Sequence, residues 1–76
     1  IAIYKALLAE FVLMYANRYF SYPKYQRDLL ICEDMFYKKN YSECYDKVID
    51  ILTTINPNEK KQALSQYQQK FNEIFG

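Results

Sequence analysis

Apolar residues recur at alternating spacings of four and three in the second half of the chain. They are Tyr41, Tyr45, Val48, Leu52 and Ile55, and the positions between them are mostly polar. This spacing predicts a strongly amphipathic helix over residues 41–55, which must bury its apolar face against other parts of the chain. No segment combines a period of two with turn residues, so no β-sheet is predicted.

Two prolines mark the boundaries of further helices. Residues 1–20 form the most apolar helix, which ends before Pro23 because the residue preceding a proline is pushed away from helical geometry. A second helix covers about residues 24–39 and ends at Asn40. A fourth helix begins at Pro57, since proline fits the first turn of a helix.

Polar residues at two helix starts have the pattern of caps. Asn40, with Glu43 three residues later, has the spacing of a capping box for the third helix. Asn56 is predicted to cap the fourth helix, with Glu59 at its third position. The fourth helix has one apolar stripe, which consists of Leu64, Tyr67, Phe71 and Ile74. This narrow stripe favours packing against a bundle or a partner helix.

The predicted fold is all-α: an antiparallel bundle of three helices, with the fourth docked on it. Residues 1–76 form a single domain. The connection at Asn40 is too short for anything but an antiparallel pair, and it keeps Cys32 and Cys44 from lying directly opposite each other. We expect both cysteines to be free thiols that pack as small apolar side chains. Because the chain begins in an apolar stretch without a cap, we expect it to be a C-terminal piece of a longer helical-repeat protein.

The first helix is apolar on two opposite sides. Its bulky side consists of Tyr4, Leu8, Phe11, Tyr15 and Arg18, flanked by Leu7 and Met14. A seam of mostly small residues lies opposite, formed by Ala2, Ala6, Ala9, Leu13 and Ala16. Small side chains let two helices approach closely. This seam is therefore predicted to contact a second copy or another part of the parent protein, or else to face solvent.

The composition argues against chemistry carried out by this chain. It has no histidine, its only glycine is at position 76, and ten basic residues nearly balance nine acidic ones. An imidazole base, a glycine-rich phosphate loop and a basic nucleic-acid patch are thus missing. We predict no enzyme activity, no catalytic residues, no cofactor, no metal site and no nucleic-acid partner. The longest uninterrupted apolar run, residues 11–16, is too short to cross a bilayer.

Four short motifs resemble the C-terminal region of the EzrA-type septation ring formation regulators. They are Tyr15-Ala16-Asn17-Arg18-Tyr19, Glu33-Asp34-Met35-Phe36, Asn40-Tyr41-Ser42-Glu43 and Ile55-Asn56-Pro57. Their order and spacing fit the family over roughly residues 12–58. The pattern differs at Met14 and Phe20, where the family has a glutamine and a second arginine.

The resemblance implies a spectrin-like protein-interaction module that acts on the tubulin-like division protein FtsZ or on another division protein. It implies a parent protein at the cytoplasmic face of the bacterial plasma membrane, attached through a segment outside this soluble piece. The family's patch for placement at the division site maps onto Asn17, Arg18 and Tyr19. These residues and Tyr15 are the predicted partner-binding set, since arginine and tyrosine are enriched at binding hot spots.

Two other interpretations of the chain stay open. One is a tetratricopeptide-like adaptor fragment that binds a peptide or a partner helix, because that class shares the hairpin pattern from Phe36 to Tyr41. The other is a purely structural terminal repeat. For the predicted patch, the alternative is that Arg18 caps carbonyls or pairs with an acid on the second helix, while Tyr19 packs beneath the turn at Pro23.

Overall fold

The computed structural model describes residues 2–75, and the side chains of residues 4–73. That part of the chain forms four α-helices and no strand, namely α1 (Ala2–Ala16), α2 (Pro23–Tyr37), α3 (Tyr41–Ile55) and α4 (Pro57–Phe75). A 3₁₀ turn, Asn17–Tyr19, follows α1. The predicted all-α fold is confirmed. The α-helical part of the first helix is shorter than predicted, because the predicted last turn has the tighter 3₁₀ form.

Helices α1 and α3 form the central pair of the bundle. Each of them contacts all three other helices, whereas α2 and α4 make no close backbone contact with each other within residues 2–75. Tyr4, near the start of α1, meets Phe71, near the end of α4, so these two helices run antiparallel. The molecule measures only 38 × 28 × 16 Å. Part of α1 is left uncovered, since Leu7 and Met14 are exposed.

The core lies mainly between α1, α2 and α3. Its fully buried members include Ala9, Val12 and Ala16 of α1, Leu29 and Cys32 of α2, and Cys44, Val48 and Leu52 of α3. Both cysteines are free and buried, as predicted. Burial raises the pKa of Cys32 to about 12 and that of Cys44 to about 11.

The small seam of α1 lies inside this core. Ala9 and Ala16 are fully buried and Leu13 is 8% exposed. The prediction that the seam contacts a second copy, contacts another part of the parent protein or faces solvent is therefore wrong at these three positions. Small residues lie here because α1 is the central helix, and its neighbours must approach it closely. Ala6 is half-buried, and the side chain of Ala2 lies outside the described residues.

The turn between α2 and α3 differs from the predicted one. The connection was predicted at Asn40, but the residue that takes the left-handed conformation is Lys39, with φ 66°. The Lys39 amide donates to the Phe36 carbonyl and the Asn40 amide to the Met35 carbonyl, both at 2.9 Å. These two bonds close α2 on a left-handed residue. The Asn40 side chain makes no capping hydrogen bond, so the predicted capping box is not formed.

The start and the docking of α4 follow the prediction closely. Asn56 caps the helix, since its side-chain oxygen accepts a 2.9 Å hydrogen bond from the Asn58 amide. In the predicted stripe, Tyr67 is buried and Leu64 and Phe71 are partly buried, while the side chain of Ile74 lies outside the described residues. Fully buried Ala63 adds a contact that the stripe did not include.

Candidate protein-interaction site

The predicted partner-binding residues lie where α1 passes into the 3₁₀ turn. Asn17 and Arg18 are exposed, and Tyr19 is half-buried. Tyr15 is only 6% exposed, so its ring is part of the core. The four residues are therefore close together in the chain but differ strongly in how far a partner can reach them.

The two tyrosines share one acceptor on a distant helix. Glu59, in the first turn of α4, accepts a 2.6 Å hydrogen bond from the Tyr19 hydroxyl and a 3.1 Å bond from the Tyr15 hydroxyl, both on Oε2. We call this group, Tyr15, Tyr19 and Glu59, the Glu59 clamp. It ties the end of α1 to the start of α4.

The clamp changes the acidity of both phenols. The hydrogen bond to Glu59 is the main cause that raises the pKa of Tyr19 to about 12, because a phenolate would face the carboxylate. Burial is the main cause that raises the pKa of Tyr15, and Glu59 adds to it. Both hydroxyls are therefore donors at neutral pH.

Arg18 is held by the helix that carries it. Its Nε donates a 3.2 Å hydrogen bond to the Tyr15 carbonyl, and its guanidinium carbon lies 3.9 Å from the centre of the Tyr15 ring. Tyr19 packs on the rings of Tyr22 and Tyr25, at centroid distances of 6.0 and 6.3 Å. These contacts match the structural alternative for Arg18 as a carbonyl cap and for Tyr19 as packing beneath the Pro23 turn.

The predicted binding set is corrected at one residue. Tyr15 is covered by Arg18 on its ring and engaged by Glu59 at its hydroxyl, so it holds the fold together and offers little surface to a partner. Asn17 and Arg18 remain accessible.

A second surface was not predicted from the sequence. Leu7, Glu10, Met14 and Asn17 follow one another at spacings of three, four and three, and all four are exposed. Met14 is 64% exposed and Leu7 40%. We call this stripe the α1 face. Its spacing is visible in the sequence, but α1 is apolar almost all round, so the pattern alone does not show which side lies outward.

Two grooves border the α1 face. The α1–α4 groove, of about 130 Å³, is lined by Leu7, Glu10, Phe11, Met14, Tyr67, Lys70 and Phe71. The α1–α2 groove, of about 300 Å³, is lined by Glu10, Leu13, Met14, Asn17, Glu33, Phe36 and Tyr37. Glu10 and Met14 belong to both, so the grooves are the two sides of one continuous surface.

The two grooves differ in chemistry. The α1–α4 groove is almost wholly apolar, with one acid and one base, Glu10 and Lys70, among its lining residues. The α1–α2 groove has two carboxylates, Glu10 and Glu33, among mainly apolar lining residues. Tyr37, at its edge, is 81% exposed. An exposed apolar surface with polar residues around it is typical of a protein-interaction site.

Comparisons with protein-family models, with curated proteins and with solved structures found no match to this chain. In residues 2–75, no helix is long and apolar enough to span a membrane. In the same residues, no three Cys, Asp or Glu side chains lie together in a group that could hold a metal ion.

Proposed function

We propose that this chain is a non-enzymatic helical module that binds a protein partner through the α1 face. The observation that carries the proposal is the exposure of Met14. This large apolar side chain lies 64% exposed on the central helix, with a groove on either side. A groove on a helical surface can receive the ridge of side chains of another helix, and an exposed apolar side chain beside the groove adds contact area.

We further propose that the partner is FtsZ or another division protein, bound at the cytoplasmic face of the bacterial plasma membrane. The support is the resemblance of roughly residues 12–58 to the EzrA-type septation ring regulators. Asn17, from the most specific motif, lines the α1–α2 groove. Arg18 is exposed directly after it. The accessible part of the family patch thus borders the α1 face.

Co-sedimentation of the purified 76-residue chain with polymerised FtsZ tests both parts. We expect Leu7→Glu and Met14→Glu to weaken binding about tenfold or more, because each places a charge on the apolar face. Ile31→Glu is the matched control: Ile31 is as exposed as Leu7, at 40%, but lines neither groove. Thermal melts of all variants establish that they stay folded.

The outcomes separate the two parts of the proposal. Native binding that Met14→Glu leaves unchanged would remove the α1 face as the binding surface. A native chain that does not bind FtsZ would remove FtsZ as the partner. Asn17→Ala tests the position that the family patch and the α1 face share, since Asn17 belongs to both and makes no side-chain hydrogen bond to a described residue.

A further inference from the structure

We infer that the α1–α2 groove takes a basic amphipathic helix from the partner, with Lys or Arg on Glu10 and Glu33 and an apolar side chain between them. The inference rests on the proposed function and deepens it, because it names the chemistry of the bound segment. Two observations support it: the groove has two acids, and most of its other lining residues are apolar.

The two acids of the groove lack a cation of their own. Glu10 is exposed and Glu33 is half-buried, and neither forms an ion pair within residues 4–73. The neighbouring acid Asp34, by contrast, is paired with Lys38 at 3.0 Å. A half-buried carboxylate without a cation attracts one more strongly than a fully solvated carboxylate, because solvent screens it less. The groove is therefore complementary to positive charge.

Most of the other side chains that line the groove are apolar. Among them, Leu13 is buried and Phe36 is partly buried, whereas Met14 and Tyr37 are 64% and 81% exposed. Methionine adapts its shape to different partners, and tyrosine provides a large rigid contact surface. A segment with apolar residues on one side and Lys or Arg beside them matches this arrangement, and an amphipathic helix has that form.

A second copy of the chain fits this surface less well. In a symmetric dimer, residues near the two-fold axis meet their own copies. Glu10 lies at the middle of the α1 face, between Leu7 and Met14, so a dimer centred there would bring two carboxylates together. Like charges in contact disfavour that pairing.

The probe is a fluorescein-labelled helical peptide of about five turns, roughly 18 residues. It has leucines along one face, lysines beside them and alanine elsewhere. A second peptide has Glu in place of each Lys, and a third has Ser in place of each Leu. Fluorescence anisotropy with the 76-residue chain measures the affinity of each.

We expect the basic peptide to bind about tenfold or more tightly than the acidic peptide and the leucine-free peptide. Glu10→Gln and Glu33→Gln should each weaken binding about threefold, and together about tenfold. Raising the salt concentration from about 0.05 to 0.5 M should also weaken it. Asp50→Asn is the matched control, since Asp50 is exposed on α3 and lines neither groove.

Three results of the peptide-binding measurements would overturn the inference. They are equal binding of the acidic peptide, equal binding of the leucine-free peptide, and binding that the double Gln variant does not change. A concentration-dependent dimer in sedimentation that Met14→Glu abolishes would also overturn it, since the occupant would then be a second copy.

A failure of this inference can be distinguished from a failure of the proposed function. FtsZ binding that depends on Met14 but not on the two acids would leave the α1 face intact and remove only the basic partner segment. Binding of the basic peptide through Glu10 and Glu33 without any binding of FtsZ would remove only FtsZ.

Discussion

The Tyr19 hydroxyl donates a 2.6 Å hydrogen bond to Glu59, forty residues further along the chain. Tyr15 donates to the same carboxylate oxygen at 3.1 Å. The residues predicted as a binding patch therefore include two that fasten α1 to α4. The Glu59 clamp and the α1 face share no residue, so the stability of the bundle can be tested separately from the proposed binding surface.

Removing the Tyr19 hydroxyl, which makes the shorter hydrogen bond of the Glu59 clamp, is predicted to destabilise the chain. Tyr19→Phe keeps the ring against Tyr22 and Tyr25 but deletes the bond to Glu59, and we expect it to lower the free energy of unfolding by about 1 kcal/mol. Urea denaturation measures the change. Tyr37→Phe is the control, since Tyr37 is 81% exposed and should alter stability little.

A double-mutant cycle sharpens this test. Glu59→Gln retains an acceptor oxygen but removes the charge, so Tyr19→Phe should cost less in the Gln background than in the native chain. Fully additive effects of the two substitutions would show that the charge of Glu59 adds nothing measurable to the hydrogen bond.

The raised pKa values predict a loss of stability at alkaline pH. The pKa of Tyr19 is raised from 10.0 to about 12, chiefly by its bond to Glu59, and burial raises that of Cys32 from 9.0 to about 12. In each case folding favours the protonated form. The contribution of each group to the free energy of unfolding is therefore complete below pH 9 for Cys32 and below pH 10 for Tyr19. It is lost as the pH rises towards 12.

Urea denaturation at a series of pH values from 8 to about 11.5 measures this dependence. We expect a falling free energy of unfolding above pH 9, and a smaller fall above pH 10 in Tyr19→Phe than in the native chain. A stability that stays constant to pH 11 would contradict the assigned role of these groups.

The left-handed residue at the α2–α3 turn predicts a stabilising substitution. Lys39 has φ 66°, a conformation in which a side chain with a Cβ atom costs about 1 kcal/mol. Lys39→Gly removes that cost and should raise the free energy of unfolding by roughly 0.5–1 kcal/mol. Lys38→Gly, one residue earlier with φ −83°, should not stabilise the chain. Equal effects of the two glycines would refute this account of the turn.

The buried hydroxyl of Tyr67 predicts a tolerated or stabilising substitution. This oxygen is inaccessible to solvent and has no hydrogen-bond partner among the described residues. Tyr67→Phe keeps the edge contacts with Tyr4 and Phe11 and removes the unpaired polar group. We expect an unchanged melting temperature or a rise of a few degrees, because an unpaired buried hydroxyl is unfavourable. A marked fall in melting temperature would show that the hydroxyl has a partner.

The helices themselves could be predicted from the sequence to within a few residues. The alternating spacing over residues 41–55 predicted α3, and Asn56 with Pro57 predicted the start and the cap of α4. These features depend on local backbone geometry and on a single amphipathic face, both of which neighbouring residues determine. The predicted break at Asn40 lies next to the left-handed residue Lys39, because asparagine is favoured in turns and at helix caps by propensity alone.

Only the tertiary structure decided which side of α1 is buried and what Glu59 binds. A helix that is apolar almost all round has no preferred inward side of its own. Ala9, Leu13 and Ala16 lie inside because α2, α3 and α4 together leave room for small residues there, and Leu7 and Met14 are left outside. Glu59 lies in the first turn of α4, where the sequence suggests only a role at the helix start. Its carboxylate instead accepts hydrogen bonds from the hydroxyls of Tyr15 and Tyr19. That pairing arises from the antiparallel packing of α1 and α4, which local sequence does not encode.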